Sequence, residues 1–282
     1  MEHATPAILL LMVLFVGPVI YYIWVASKGK DIYIRRIPGI DAIDEAIGRA
    51  VELGRPISFT TGLTGIGPLL YACLGTLKHV AYRAARFGSR LFIPCVDPEA
   101  LVITEATVQN AYRAANRFSS FDPDSIRFLS GEQFAFASGY MGLIHREKVA
   151  GAFLFGRYAA ESLILAEAGQ QVGAVQVAAT TSAEQIPFFI SACDYTLLGE
   201  ELYAAGAFLS GDPVQRGSLR GQDIAKLVIL VLILIGISQA TYRSISTGTE
   251  SSTEPLPLSK FIRASWAAVL GSEISSAPET TQ

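Results

Sequence analysis

The sequence predicts an α/β protein, a Rossmann-like parallel sheet with helices on both faces, flanked by two transmembrane helices. Three observations predict it. Short runs of four to six apolar residues alternate with helix-length segments along the middle of the chain, the order that builds a parallel sheet from βαβ units. Two of those runs, Ala152–Phe155 and Ala174–Ala179, are apolar at nearly every position, as strands covered on both faces must be. Finally, uncharged stretches stand at both ends of this alternation: Ala7–Ala26, and Leu227–Ala240 extending with its flanks to about Tyr242.

In chain order, the 20 residues Ala7–Ala26 carry no charge and at roughly 1.5 Å per residue match a hydrocarbon core of ~30 Å. Tyr21, Tyr22 and Trp24 close that run and Lys28, Lys30, Arg35 and Arg36 follow it, which by the positive-inside rule puts the N-terminus outside and the next segment in the cytoplasm. Ile40, Ile43, Ala46, Ile47, Ala50 and Val51 mark one face of a helix ending at Gly54. Ile57–Thr61 reads as a buried strand, then a glycine turn, then a helix over Pro68–Phe87. Leu91–Val96 is a second strand, and Asp97-Pro98 opens a helix to about Asn116. Ile126–Leu129 is a strand, Gly131–Glu147 a helix, Ala152–Phe155 a strand, Tyr158–Ala168 a helix and Ala174–Ala179 the fifth strand; Ser182 to about Leu209 reads as largely helical, with a break near Asp194.

Basic residues Arg216, Arg220 and Lys226 precede the second apolar run, so both spans predict one topology, a cytoplasmic α/β domain in the cell (inner) membrane with both termini outside. The domains read as 1–27, a transmembrane helix; 28–222, the α/β domain; 223–243, a second transmembrane helix; and 244–282, a Ser/Thr/Pro-rich linker, an amphipathic helix carrying Leu258, Phe261, Ile262, Trp266, Val269 and Leu270, and a tail.

Composition agrees with a membrane protein: 51% hydrophobic residues, 17% charged and a mean hydropathy of +0.39. A net charge of −3 supplies no global basic field for nucleic acid. Cys73, Cys95 and Cys193 lie far apart without CxxC spacing and read as free thiols of a reducing compartment.

The candidate site follows from the sheet. In an open parallel sheet, ligands bind beyond the carboxyl ends of the strands, here Thr60, Thr61, Asp97, Ser130, Arg157, Thr180, Thr181 and Ser182. Gly62-x-x-Gly65-x-Gly67 lies between a strand and a helix start, where backbone N–H groups can cradle an anion. It is neither GxGxxG nor a P-loop, and glycines for a tight turn and a close helix-to-strand approach are the favoured account of it. Arg157 and Glu161, four residues apart, predict an ion pair on one helix face. From Tyr158 to Gln215 the chain holds seven acidic residues and no Lys or Arg, so acids among apolar residues such as Glu161 and Glu167 are expected to take a base from the N-terminal half, a subunit contact or a cation. The ligand-binding set is therefore Gly62, Gly65, Gly67, Asp97, Arg157, Glu161 and Thr181. His3, His79 and His145 lie in separate segments and predict no metal site; no cofactor, nucleophile or reaction is indicated.

Gly48–Gly62 and, more strongly, Ala159–Ser210, with the blocks Gly173–Gln176, Gln185–Phe189, Ala192–Tyr195 and Gly199–Tyr203, resemble an uncharacterised prokaryotic membrane-anchored α/β family, a domain of unknown function, over about residues 38–226. The resemblance implies a membrane-tethered domain and no catalytic residue. The functional expectation is a self-assembling scaffold in the lipid bilayer, a homo-oligomer with room for other membrane subunits, in which small-residue helices such as Tyr203–Phe208 pack between copies. The alternative is a sensor or binding module for a nucleotide or other anion at the carboxyl edge; an enzyme at that edge is the third reading.

Overall fold

The computed structural model describes residues 6–29 and 38–246. The expected linker, amphipathic helix and tail beyond residue 246 lie outside them. The chain divides into two compact units, Tyr33–Asp212 and a second formed by Met1–Ile32 with Pro213–Gln282.

The first unit is the α/β body. Helix α2 (Pro38–Glu52) precedes β1 (Ile57–Gly62), then α3 (Pro68–Phe87), β2 (Leu91–Cys95), α4 (Pro98–Ala114), β3 (Ile126–Phe128), α5 (Gln133–Glu147), β4 (Gly151–Arg157), α6 (Ser162–Gln171), β5 (Val175–Thr180), α7 (Ile186–Ala192), β6 (Tyr195–Leu198) and α8 (Glu200–Ser210). All strand pairs are parallel, in the order β3-β2-β1-β4-β5-β6. The doubly wound parallel sheet read from the alternation is therefore present.

Strand alternation divides the core. Phe59, Phe153, Phe155, Val177 and Ala179 pack into the cluster with α2, α3, α4 and α8, whereas Leu154 and Ala178 point to the opposite cluster with α5, α6 and α7. Phe59 lies 5.4 Å from Phe155 and 6.3 Å from Phe153, ring centre to ring centre. Each fully buried ring contributes about 1.5–3 kcal/mol of transfer free energy, so this triplet secures β1 to β4. The amino edge is tied by Arg55: its guanidinium donates to the carbonyls of Lys148, Val149 and Val172, which lie just before β4 and β5. A shallow pocket beside it, lined by Gly88, Ser89 and Arg90 among others, is on the edge opposite the strand crests.

The stretch expected as one helix over Ser182–Leu209 is instead α7, the strand β6 and α8. Tyr195-Thr-Leu-Leu198 completes the sheet beside β5, and Gly199, with φ +55°, makes the turn into α8. The small-residue stripe of α8 has a packing role within the chain. Gly206 sits against Ala72 and Gly75 of α3, and a Cβ on Gly75 would stand 2.7 Å from the Gly206 carbonyl, so the stripe is used inside the chain.

The second unit holds α1 (Pro6–Ser27) and α9 (Pro213–Ser246). Here the two-span expectation is corrected. Among the described residues one helix, over Pro213–Tyr242, is long and apolar enough to cross a membrane, and Met12–Ser27 forms a shorter apolar helix. In three dimensions the two helices pack antiparallel: Gly217 meets the backbone of Tyr22 and Ile23, and Gly221 that of Val19 and Pro18. Glycines at this four-residue spacing let backbones approach closely.

Candidate functional site

The order of the sheet reverses between β1 and β4, and chains leaving those two strands turn to opposite faces. That divergence is where doubly wound sheets hold ligands. The base of the crevice is sewn shut here. Leu63 N–H donates to the Arg157 carbonyl at 2.9 Å; the buried Thr64 hydroxyl donates to the Thr61 carbonyl at 2.6 Å and accepts from Arg157 N–H at 2.8 Å. Two glycines permit so close an approach. Gly62 (φ +55°) has Tyr158 over it, a Cβ there meeting the ring at 2.5 Å; Gly156 (φ +147°) lies against the Thr61 carbonyl and the Thr64 hydroxyl.

Above this floor the rim is open. Gly65 and Ile66 are exposed and Gly67 half-exposed. Gly67 caps α3 without a side chain and Pro68 lacks an N–H, so the first amides of this 20-residue helix have no side-chain cap and carry the helix dipole behind them. Asp97, at the crest of β2, uses Oδ1 to cap α4 through Glu99 N–H at 2.9 Å. Its Oδ2 lies 3.7 Å from where a Gly65 Cβ would be. Arg157 extends its exposed guanidinium over the turn, making only a long 3.4 Å bond to the Leu63 carbonyl.

Gly62, Gly65, Gly67, Asp97 and Arg157 thus gather around one crest. Thr181 is exposed at the crest of β5, two strands from β1. Glu161 is not part of the rim: it is fully buried, and the expected pair with Arg157 is absent. Its carboxylate accepts from Gln133 Nε2 at 2.6 Å and from Ala159 N–H at 3.0 Å. Other acids of the base-free segment follow suit. Asp194 accepts from Gln176 N–H, Glu201 from Leu198 N–H and Glu167 from the Gln171 amide, so neutral donors replace the bases predicted from the sequence. Thr64, Gly156 and Gln133 were missed; the first two carry a local signal, a hydroxyl within a glycine turn and a lone glycine inside an apolar strand.

The nucleophile candidates are held protonated. Burial, reinforced by the Asp97 charge, pushes the Cys95 thiol up to about 12; Cys193, at the opposite, amino edge of the sheet, is likewise raised by burial and by Asp194. Tyr158, buried and donating to the Thr60 carbonyl at 3.1 Å, stays a phenol far above its usual range. Among the described residues no three His, Cys, Asp or Glu side chains are grouped to hold a metal ion. His79 instead pairs with Asp44 at 2.9 Å.

Fold and crest together define an α/β protein with a doubly wound sheet and an accessible switch-point rim, followed in sequence by one long apolar helix. The chain belongs to the DUF6754 family, a domain of unknown function, whose family model matches residues 1–251. No curated protein and no solved structure matches it.

Proposed function

We propose that this protein is a membrane-anchored binding module for a nucleotide or a related phosphorylated small molecule, held at the crest of β1. The observation that supports it is the convergence, at the point of strand-order reversal, of an uncapped helix start, an exposed arginine and a carboxylate. The first amides of α3 and the Arg157 guanidinium would hold phosphate oxygens, and Asp97 Oδ2 would accept from a sugar hydroxyl. The apolar helix over Pro213–Tyr242 is the anchor, and the basic residues at its start, Arg216, Arg220 and Lys226, support a cytoplasmic α/β body by the positive-inside rule.

The test is thermal stabilisation of the full chain in mild detergent by a panel of mono- and dinucleotides. At ligand near 100 times its Kd the gain is about 2.7 kcal/mol, several degrees for a body of this size. Gly65→Asp should abolish the gain while leaving the ligand-free melting temperature unchanged, since Gly65 has room for a side chain. No shift with any member of the panel would sink the proposal.

A second reading, the self-assembling scaffold, draws support from large apolar side chains on the α/β body: Tyr71, Val102, Phe134 and Ile190 are each more than half exposed. Such surface commonly marks contact with another copy or another membrane subunit. Mass photometry at micromolar load would show a single assembly larger than a monomer; a monomer would remove this reading.

A further inference from the structure

Antiparallel packing of α1 and α9 sets the two helices in a fixed register. With Gly217 against Ile23 and Gly221 against Val19, each step along α9 is a step back along α1. Arg220 is therefore level with Ile20 and Arg216 with Trp24. The apolar run beginning at Leu227 starts only at the level of Val13. The two apolar runs are thus staggered by several turns, and cannot both be centred in one hydrocarbon layer of ~30 Å.

Charge decides which part of α1 leaves the hydrocarbon. Arg220, Asp223 and Lys226 are all exposed on α9, and a charge at the bilayer centre costs ~2.5–3.5 kcal/mol or more. Placing Arg220 at the hydrocarbon edge leaves Lys226 to reach back along its stem and puts Asp223 between two cations. The last turns of α1, Tyr21–Ser27, then stand in the headgroup layer. Their composition suits that layer: Tyr21 and Trp24 are more than half exposed, Lys28 Nζ lies 3.2 Å from the centre of the Trp24 ring, and Tyr and Trp favour the interface.

We propose that Lys28 and Arg220, with Tyr21 and Trp24 between them, form an interfacial girdle that selects anionic lipid headgroups. This rests on the membrane anchoring proposed above but not on the ligand site. It deepens that anchoring from a generic bilayer to one leaflet's chemistry: phosphodiester headgroups of net negative charge, held by the exposed Arg220 guanidinium and Lys28 ammonium.

The experiment reconstitutes the full chain in phosphatidylcholine doped with phosphatidylglycerol and counts the lipids that remain bound by native mass spectrometry. Enrichment of phosphatidylglycerol is expected, falling about fivefold for Arg220→Gln and again for Arg220→Gln with Lys28→Gln, at about 1 kcal/mol per basic residue. Asp223→Asn should move it the other way. All three side chains are exposed, and unchanged helical circular dichroism verifies the fold. Equal lipid counts in wild type and the double variant overturn the girdle, as does displacement of the bound lipid by inorganic phosphate. Failure of the protein to co-float with pure phosphatidylcholine vesicles would instead overturn the anchoring itself.

Discussion

Thr64→Val tests whether the crests of β1 and β4 are held together as one rigid floor. Valine keeps the shape of threonine and deletes only the hydroxyl, which bonds the Thr61 carbonyl at 2.6 Å and Arg157 N–H at 2.8 Å. Thr64 is buried; the Thr61 carbonyl keeps the Thr64 N–H at 3.2 Å, so it is the Arg157 N–H that is left without its partner. An orphaned donor of this kind costs about 2 kcal/mol. For a body spanning Tyr33–Asp212 this lowers the melting temperature by roughly 4–8 °C. Thr64→Ser keeps the hydroxyl and removes one methyl, at about 1 kcal/mol and roughly 2–4 °C. A thiol-reactive dye in mild detergent is the suitable probe, because Cys73 and Cys95 are buried and unpaired inside that body, whereas Trp24 and Trp266 lie outside it. If Thr64→Val melts no lower than Thr64→Ser, the hydroxyl is not what joins the crests.

Three further outcomes are expected. Arg55→Ala strands the carbonyls of Lys148, Val149 and Val172 and should destabilise by about 3 kcal/mol, with Arg55→Lys recovering only part, read by the same dye. Gly206→Val drives a side chain into the Ala72 carbonyl on α3 and should cost about 3 kcal/mol by overpacking while leaving the oligomeric mass unchanged; a change of mass without a loss of stability would return the α8 stripe to an intersubunit role. Alkaline pH should destabilise the fold. The Cys95 thiol is raised from 9.0 to about 12 on folding, so its contribution is complete below pH 9 and is lost as pH rises from there towards 12, at about 1.4 kcal/mol per pH unit. Cys95→Ala should flatten that slope in denaturant melts at stepped pH, and parallel profiles would refute the assignment.

What the sequence made legible was whatever depends on a short window. Ala152–Phe155 and Ala174–Ala179 announce buried strands because both of their faces are covered, and Pro68–Phe87 announces a helix by its period and its flanking glycines. Tyr195–Leu198 did not announce itself: only Leu197 of its four residues is buried, and as an edge strand it has one neighbour and little apolar pattern to show. The site divides in the same way. The glycine turn and the cap at Asp97 are local, whereas the bond from Arg157 to Thr64 spans 93 residues and exists only once β1 and β4 are paired. Glu161 shows why charge counting misled. A carboxylate at the first turn of a helix can be satisfied by an amide side chain, its own backbone N–H groups and the helix dipole, so a segment without bases does not require one. Because Glu161 is occupied inward by Gln133 and Ala159, it does not pair with Arg157, whose guanidinium bonds the Leu63 carbonyl. Neutral satisfaction of a buried acid is thus what makes a cation available at the rim, and the two features are one consequence of how α5 and α6 begin side by side.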